Sequence, residues 1–349
     1  MVWQGRDTTM LSLRARLLQG VPRQVQDIKG LTVLDLECNL IDDLAEAGIG
    51  SLERLHTLKL SYNQILSIPA EFAGLTSLTI LEAKYNFLPA VPRCICGLPL
   101  QRLELDSNQL MEMDDSAARL TGLRHLSLTN NTIRKIGTAV FESLTRLETL
   151  LLQRNEMLLL PDSIMCLERL STLDVSFNQL YALPHGFGSA TCLSILRLAY
   201  NDLELSSMTF DSLSNLEELI LTSNRLAGIP HTFAALKKLT VLHIGGNMFS
   251  VEPQHQFLKT WETTQRWLRS NLESYVHAQV LSALSQPSFS FPLSSNPSPH
   301  SLPPACARVR ALFGRIKRRP PCVCWIELRG RAFHHAQQKR HMFSGRLSE

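Results

Sequence analysis

Several short groups of residues in this sequence have types and spacings that could do chemistry. Cys322-Val-Cys324 followed by His334-His335 supplies four sulfur and nitrogen donors, the number a tetrahedral zinc ion takes. The spacing matches no standard zinc finger, and the surrounding segment shows no sustained period, so metal binding is not expected there. Cys94-Ile-Cys96 offers two thiols, too few for a metal site, and reads as a pair of free cysteines. Arg315-Ile-Lys317-Arg318-Arg319 is a basic run of the kind that serves as a nuclear address or contacts phosphates of nucleic acid or anionic lipid. The plainer reading is a solvated tail.

No arrangement for catalysis has the context it needs. The chain contains neither GxxxxGK[ST] for phosphates nor HExxH for zinc. Gly186-Phe-Gly188 does not stand between a strand and a helix, so it is no dinucleotide loop. Acids are plentiful, but carboxylates facing solvent on an open surface are expected to gain little pKa tuning. The expectation is a protein that is not an enzyme and takes no cofactor and no metal.

The elements that position these residues follow from an internal repeat. Leu55-His-Thr-Leu58-Lys-Leu60-Ser-Tyr-Asn63 and Leu78-Thr-Ile-Leu81-Glu-Ala83-Lys-Tyr-Asn86 align at an offset of 23 residues. The asparagines Asn39, Asn63, Asn86, Asn108, Asn131, Asn155, Asn178, Asn201, Asn224 and Asn247 recur at spacings of 24, 23, 22, 23, 24, 23, 23, 23 and 23. Within each unit Leu58 and Leu60 alternate with Thr57, Lys59 and Ser61, the period of a strand with one buried face. Stacked units give a parallel sheet. The asparagine ends the strand, and its amide can bond backbone groups that would otherwise be buried unpaired. Removing one is expected to cost roughly 1–3 kcal/mol, and cutting a strand leucine to alanine roughly 2–5 kcal/mol. Ile68-Pro69, Val91-Pro92, Leu160-Pro161, Leu183-Pro184 and Ile229-Pro230 follow the strands. A proline cannot donate to a ladder, so these belong to the descending segments.

This pattern, LxxLxLxxN in ten in-phase copies, resembles the leucine-rich-repeat family over residues 31–253. The Ile/Leu/Val-Pro step, with Phe72…Leu75, Ile164…Leu167 and Phe233…Leu236 after it, is similar to the intracellular Ras-suppressor and Shoc-type scaffolds. The resemblance implies an α/β solenoid: a curved horseshoe with a parallel sheet on its concave face and about eleven repeats. It also implies a protein-interaction scaffold or adaptor in intracellular signalling, with a small GTPase, kinase or phosphatase among the expected partners and no small-molecule substrate.

The ends differ from the middle. Arg16 falls 23 residues before Asn39, with Leu11, Leu13, Leu18, Val21 and Pro22 at the apolar and proline positions, so residues 1–30 are expected to form an N-terminal cap on a degenerate repeat. Arginine cannot replace asparagine inside the ladder. Phe257, Leu258, Trp261, Leu268, Leu272, Tyr275, Val276 and Val280 recur at helical spacing, which predicts a helical C-terminal cap over residues 254–285. Residues 286–304 are Ser/Pro-rich, and residues 305–349 are basic, so 286–349 is expected to be a disordered tail. The net charge of the whole chain is +4, yet residues 305–349 hold eleven Lys/Arg against Glu327 and Glu349. The alternative function is therefore a nucleic-acid- or membrane-associated protein tethered by this tail.

No run of about 18 apolar residues suggests a membrane span, and no secretory signal is evident. Eight cysteines, mostly scattered singly, suit a reducing compartment. The expected location is the cytoplasm, with the nucleus as the alternative.

The expected binding face is the concave sheet. One outward column holds Asp35, Lys59, Glu82, Glu104, Ser127, Leu151, Asp174, Arg197, Ile220 and His243, and the next includes Glu37, Lys84 and Asp106. Tyr62, Tyr85, Arg154, Phe177 and Tyr200 stand just before the asparagines. Acids lead in the N-terminal half. Leu151, Phe177, Tyr200 and Ile220 are expected near one another in a more apolar C-terminal half, the composition of a protein interface with a polar rim. The alternative is that these residues fill routine positions.

Overall fold

Each repeat contributes one short strand, because only three residues per unit alternate between a buried leucine and two outward neighbours. In this computed structural model, which describes residues 9–248 apart from 46, 205–209, 211, 228–232, 234 and 235, those strands stack in sequence order. They are β1 (Met10–Ser12), β2 (Val33–Asp35), β3 (Thr57–Lys59), β4 (Ile80–Glu82), β5 (Arg102–Glu104), β6 (Glu112–Met113), β7 (His125–Ser127), β8 (Lys135–Ile136), β9 (Thr149–Leu151), β10 (Thr172–Asp174), β11 (Ile195–Arg197), β12 (Glu218–Ile220) and β13 (Val241–His243). All but β6 and β8 form one parallel sheet of eleven strands, and β6 pairs with β8 in a second sheet. The expected solenoid with its long parallel sheet is what the chain forms.

The register places leucine on leucine. Leu34, Leu58, Leu81 and Leu103 face one another across β2–β5, and Leu126, Leu150, Leu173, Leu196, Leu219 and Leu242 continue the row. All are at most 1% exposed, so the row is the axis of the core. A second buried row, Val25, Ile49, Phe72, Ile95, Ala117, Val140, Ile164 and Phe187, comes from the return segments. Phe210 and Phe233 extend it and meet edge to face at 4.8 Å.

The return segments differ from the helices that an α/β solenoid suggests. They are 3₁₀ turns, such as Ala70–Gly74 and Asp162–Cys166, and the only α-helix among the described residues is α1 (Thr138–Ser143). A 3₁₀ turn rises about 2.0 Å per residue against about 1.5 Å for an α-helix, so it spans more of a short return with fewer residues. α1 lies in one of the two units of 24 residues. Pro69, Pro92 and Pro161 precede their 3₁₀ turns with φ of −65°, −66° and −65°, the angle the ring imposes, and lose no ladder bond there. The return sides pack tightly: a Cβ on Gly74 would lie 2.4 Å from the Gly50 carbonyl oxygen.

The asparagines form the expected ladder. Asn63 Nδ2 donates to the Leu36 carbonyl of the preceding repeat and the Leu60 carbonyl of its own, each at 3.0 Å, and its Oδ1 accepts from Ile41 N at 3.1 Å. The same geometry recurs from Asn39 to Asn247, and every one except Asn247 is buried. At the N-terminal end Arg16 enters through its backbone: its amide donates to Asn39 Oδ1 at 2.9 Å. Thus the degenerate unit closes the ladder without an asparagine. The helical C-terminal cap, the tail with Cys322, Cys324, His334 and His335, and the basic run Arg315–Arg319 lie outside the described residues.

Candidate binding face

The residue before each asparagine takes a left-handed backbone. Cys38, Tyr62, Tyr85, Ser107, Asn130, Arg154, Phe177, Tyr200 and Ser223 have φ between 52° and 60°, and Gly246 has 73°. This conformation strains bulky residues, yet it turns the chain so that the following asparagine points inward. The side chains in this column then project side by side at the repeat spacing. Tyr62 and Tyr85 stack at 4.4 Å between ring centroids, and Phe177 and Tyr200 at 4.3 Å. The Arg154 guanidinium lies 4.7 Å from the Phe177 centroid, so Arg154, Phe177 and Tyr200 form one continuous stack. All four rings remain between 37% and 51% exposed. Such contacts add about 0.5–1.5 kcal/mol per pair and leave the outer ring faces free of the core.

The charged part of the face is internally paired rather than open. Lys59 reaches Glu82 at 3.1 Å, and Lys84 reaches Glu104 at 2.6 Å and Asp106 at 3.3 Å. Arg102 also pairs with Glu104, and His125 Nε2 lies 3.4 Å from it. Asp106 accepts from the Ser127 hydroxyl and from Thr129 N at 2.8 Å. Further along, Arg197 bridges Asp174 at 3.8 Å and Glu218 at 2.6 Å.

Two expectations need correction here. Glu104 and Asp174 are 2% and 8% exposed, so neither is an open contact residue. The expectation of little pKa tuning also fails at Glu104. Burial would raise its pKa, but hydrogen bonds from His125 and Lys84 and the charges of Lys84 and Arg102 outweigh it and hold the carboxyl at about 2. Lys84 shows the reciprocal effect: burial opposes its charge, and the attraction of Glu104 and Asp106 outweighs burial and raises its pKa. A carboxyl with a lowered folded pKa stabilises the fold fully above its ordinary pKa near 4.5 and loses that contribution as pH falls through about 2. Lys84 and Arg102 are 32% and 45% exposed, so solvent screening trims the effect. Glu104→Gln is expected to cost about 1–2 kcal/mol at neutral pH and to flatten the loss of stability between pH 4.5 and pH 2. Urea unfolding across that range checks it; identical acid slopes for the two proteins would refute it.

The apolar half is also arranged differently from the expectation. Leu151 pairs with Asp174, Asp174 with Arg197, and Arg197 with Ile220. Leu151 and Ile220 are therefore three strands apart, about 14 Å at the usual strand spacing, with an ion pair between them. Phe177, Tyr200 and Arg154 do come together, whereas Leu151 and Ile220 flank them separately and are half-buried. Glu82, Lys84 and Asp106 sit in the paired network, with Tyr85 in the left-handed column beside it.

Residue types alone overlooked Arg102, His125 and Glu218 in these networks, and placed Ser127 only as one member of the outward column. Their partners sit either two residues away or about one repeat away, as Arg102–Glu104 and Arg197–Glu218 illustrate. A search for opposite charges at the repeat offset would have found several. Gln153, between the stack and Leu151 in sequence, has a buried Oε1 without a hydrogen-bond partner. No group of three or more metal-ligating residues occurs among the described residues. Burial raises the pKa of the Cys94 and Cys96 thiols, which disfavours the thiolate a metal would need.

Comparison with known proteins agrees with this architecture. The leucine rich repeat family profile matches residues 29–88, 98–157, 121–180 and 191–249. A leucine-rich repeat and calponin homology domain-containing protein of Drosophila melanogaster is 35% identical over 164 residues, which cover 46% of this chain and 20% of that protein. Fibromodulin of Sus scrofa is 35% identical over 111 residues, 30% of this chain and 74% of that sequence. The chain thus spans about a fifth of the first relative's length and about three quarters of the second's. Among solved structures, the plant peptide hormone receptor RGFR1 in complex with RGF2 superposes with a TM-score of 0.57 at 28% identity, covering 66% of this chain and 38% of the receptor.

Proposed function

The chain belongs to the leucine-rich-repeat family, and from that premise we propose that it is a non-enzymatic adaptor that holds a protein partner on its sheet face. The observation that carries this proposal is the Arg154–Phe177–Tyr200 stack. Three side chains of the types that dominate interface energetics stand in a row, held rigid by one another and still accessible. Rigid anchors lose little conformational entropy on binding. The paired charges of Lys84, Asp106, Arg197 and Glu218 flank them as a polar rim, where they serve alignment more than affinity. That a structure with 28% identity was solved as a receptor bound to RGF2 supports a proteinaceous partner.

The finer parts of the proposal rest on sequence resemblance. The Ile/Leu/Val-Pro step supports the Ras-suppressor and Shoc-type subclass, and with it a small GTPase, kinase or phosphatase as partner in intracellular signalling. The described cysteines Cys38, Cys94, Cys96, Cys166 and Cys192 are free thiols, which supports a reducing cytoplasmic setting.

The test is affinity capture from cytosol with the full chain and with the variant Leu151→Glu, Phe177→Glu, Tyr200→Glu, after circular dichroism shows that both are folded. The expected result is a protein retained by the first and weakened by about thirtyfold or more in the second. Equal retention by both would overturn the proposal. Retention that disappears when residues 305–349 are removed and falls steeply with salt would move the function to the basic tail.

A further inference from the structure

A second exposed region lies on the descending segments, just after the asparagine of each repeat. In most repeats the residues just after the NxL step are isolated or polar: Leu66, Met111 and Arg134 stand there singly. In two adjacent repeats they are apolar together. Leu158, Leu159 and Tyr181 are 55%, 46% and 53% exposed. They are the exposed apolar lining of a groove of about 750 Å³ that crosses four repeats. The groove starts where the small second sheet stops. The amides of Arg134 and Gly137 bond to the Met111 and Met113 carbonyls at 3.0 and 2.8 Å, but among the described residues no further strand joins β8.

The groove has charge at both ends. Arg134 and Lys135 line one end, and Glu204 lines the other. Arg134 is held by Glu156 at 2.8 Å, whereas Lys135 is exposed and makes no ion pair among the described residues. The ends are three repeats apart, about 14 Å at the strand spacing. An extended peptide covers that distance in about five or six residues at about 3.3 Å each. In an extended peptide every second side chain points to the same side, so an apolar residue at alternate positions would meet Leu158, Leu159 and Tyr181 in turn.

We propose that the groove lined by Leu158, Leu159 and Tyr181 is a second docking site, for an extended peptide segment with an acid at one end, a base at the other and alternating apolar residues between. It is independent of the sheet face, because none of its lining residues belongs to the strands of the long sheet or to the left-handed column. Sequence direction in the bound peptide follows from the charges: the acid meets Lys135 and the base meets Glu204.

The test uses the full chain and two fluorescein-labelled peptides, acetyl-Glu-Thr-Val-Thr-Leu-Thr-Lys-amide and its charge-swapped form acetyl-Lys-Thr-Val-Thr-Leu-Thr-Glu-amide, in which both charges and both apolar residues share one side, read by fluorescence anisotropy. The first peptide is expected to bind saturably. Leu158→Ser with Leu159→Ser should weaken it by about tenfold or more, since two exposed apolar contacts are lost without touching the core. Lys135→Glu should weaken it by about fivefold and reverse the preference between the peptides. Phe177→Glu, outside the groove lining, should leave the affinity for this peptide unchanged even where it weakens capture at the sheet face, which separates failure here from failure there. Absence of saturable binding for both peptides, or insensitivity to Lys135→Glu and to the serine pair, would overturn the proposal. So would self-association of the full chain, seen by sedimentation, that the serine pair abolishes, because the occupant would then be a second copy.

Discussion

Replacing Asn131 by alanine is expected to lower the unfolding free energy by about 4 kcal/mol, near the upper end of single-residue effects. The size follows from its partners. Asn131 Nδ2 donates to the carbonyls of Leu105 and Leu128 at 3.0 Å and of Thr129 at 3.3 Å. Its Oδ1 accepts from Asn108 N at 3.2 Å and Leu110 N at 3.1 Å. Alanine leaves these backbone groups buried and unpaired, at roughly 1–3 kcal/mol for each one that water cannot reach. Asn247→Ala is the internal comparison. That side chain donates to Leu221 and Ile244, accepts from Leu226 N, and is only partly buried. Its loss is expected to cost about 1–2 kcal/mol. Urea unfolding followed by far-UV circular dichroism distinguishes the two; equal midpoints for both variants would show that the bonds are not the source of stability.

The second large effect is expected from Phe141→Ala. Phe141 lies in α1 and is 0% exposed. Truncating a buried phenylalanine costs roughly 3–5 kcal/mol, because the cavity cannot fully collapse. In a solenoid each repeat contacts only its neighbours, so the loss falls on the middle of the stack rather than on the whole molecule. The expected signature is a split transition. Amides of β7, β9 and β10 should lose protection from hydrogen exchange before those of β2 and β3, measured by mass spectrometry on peptic fragments. If protection falls evenly along the chain, the repeats are more strongly coupled than nearest-neighbour packing allows.

The sheet, its register and the ladder were legible because a single signal, leucine and asparagine at the same offset, repeats ten times. The burial of Glu104 was not legible from that signal. Its position in the strand is an outward one, and what covers it is the meeting of Arg102 two residues away, His125 in the next strand and Lys84 in the preceding repeat. The form of the return segments was likewise hidden. Proline, an apolar residue and a leucine fit either a 3₁₀ turn or a short α-helix, and unit length does not separate them: of the two 24-residue units, one holds α1 and the other the 3₁₀ turn Ile49–Ser51. At the candidate face, the positions of Phe177 and Tyr200 were legible but their stacking was not, since it depends on a left-handed backbone that no β-rich pattern announces. Leu151 and Ile220 were placed too close because neighbouring columns were read as a patch, whereas the register sets them three strands apart.

The ladder has an implication for how such a chain could be rearranged. Each asparagine bonds only backbone, its own and that of the repeat before, so the bonds do not record which repeat that is. Excision of residues 87–108 would bring Asn131 beside Ala83, whose carbonyl is already a ladder acceptor for Asn86 and Asn108. The leucine row would close again without a gap. The side-chain pairs would not: Lys84 would lose both Glu104 and Asp106, and Glu82 would face Ser127 instead of the Glu104 strand. Modules in this protein are thus interchangeable in their interior and individually addressed on their surface, so shuffling them would preserve the scaffold while rewriting what it presents.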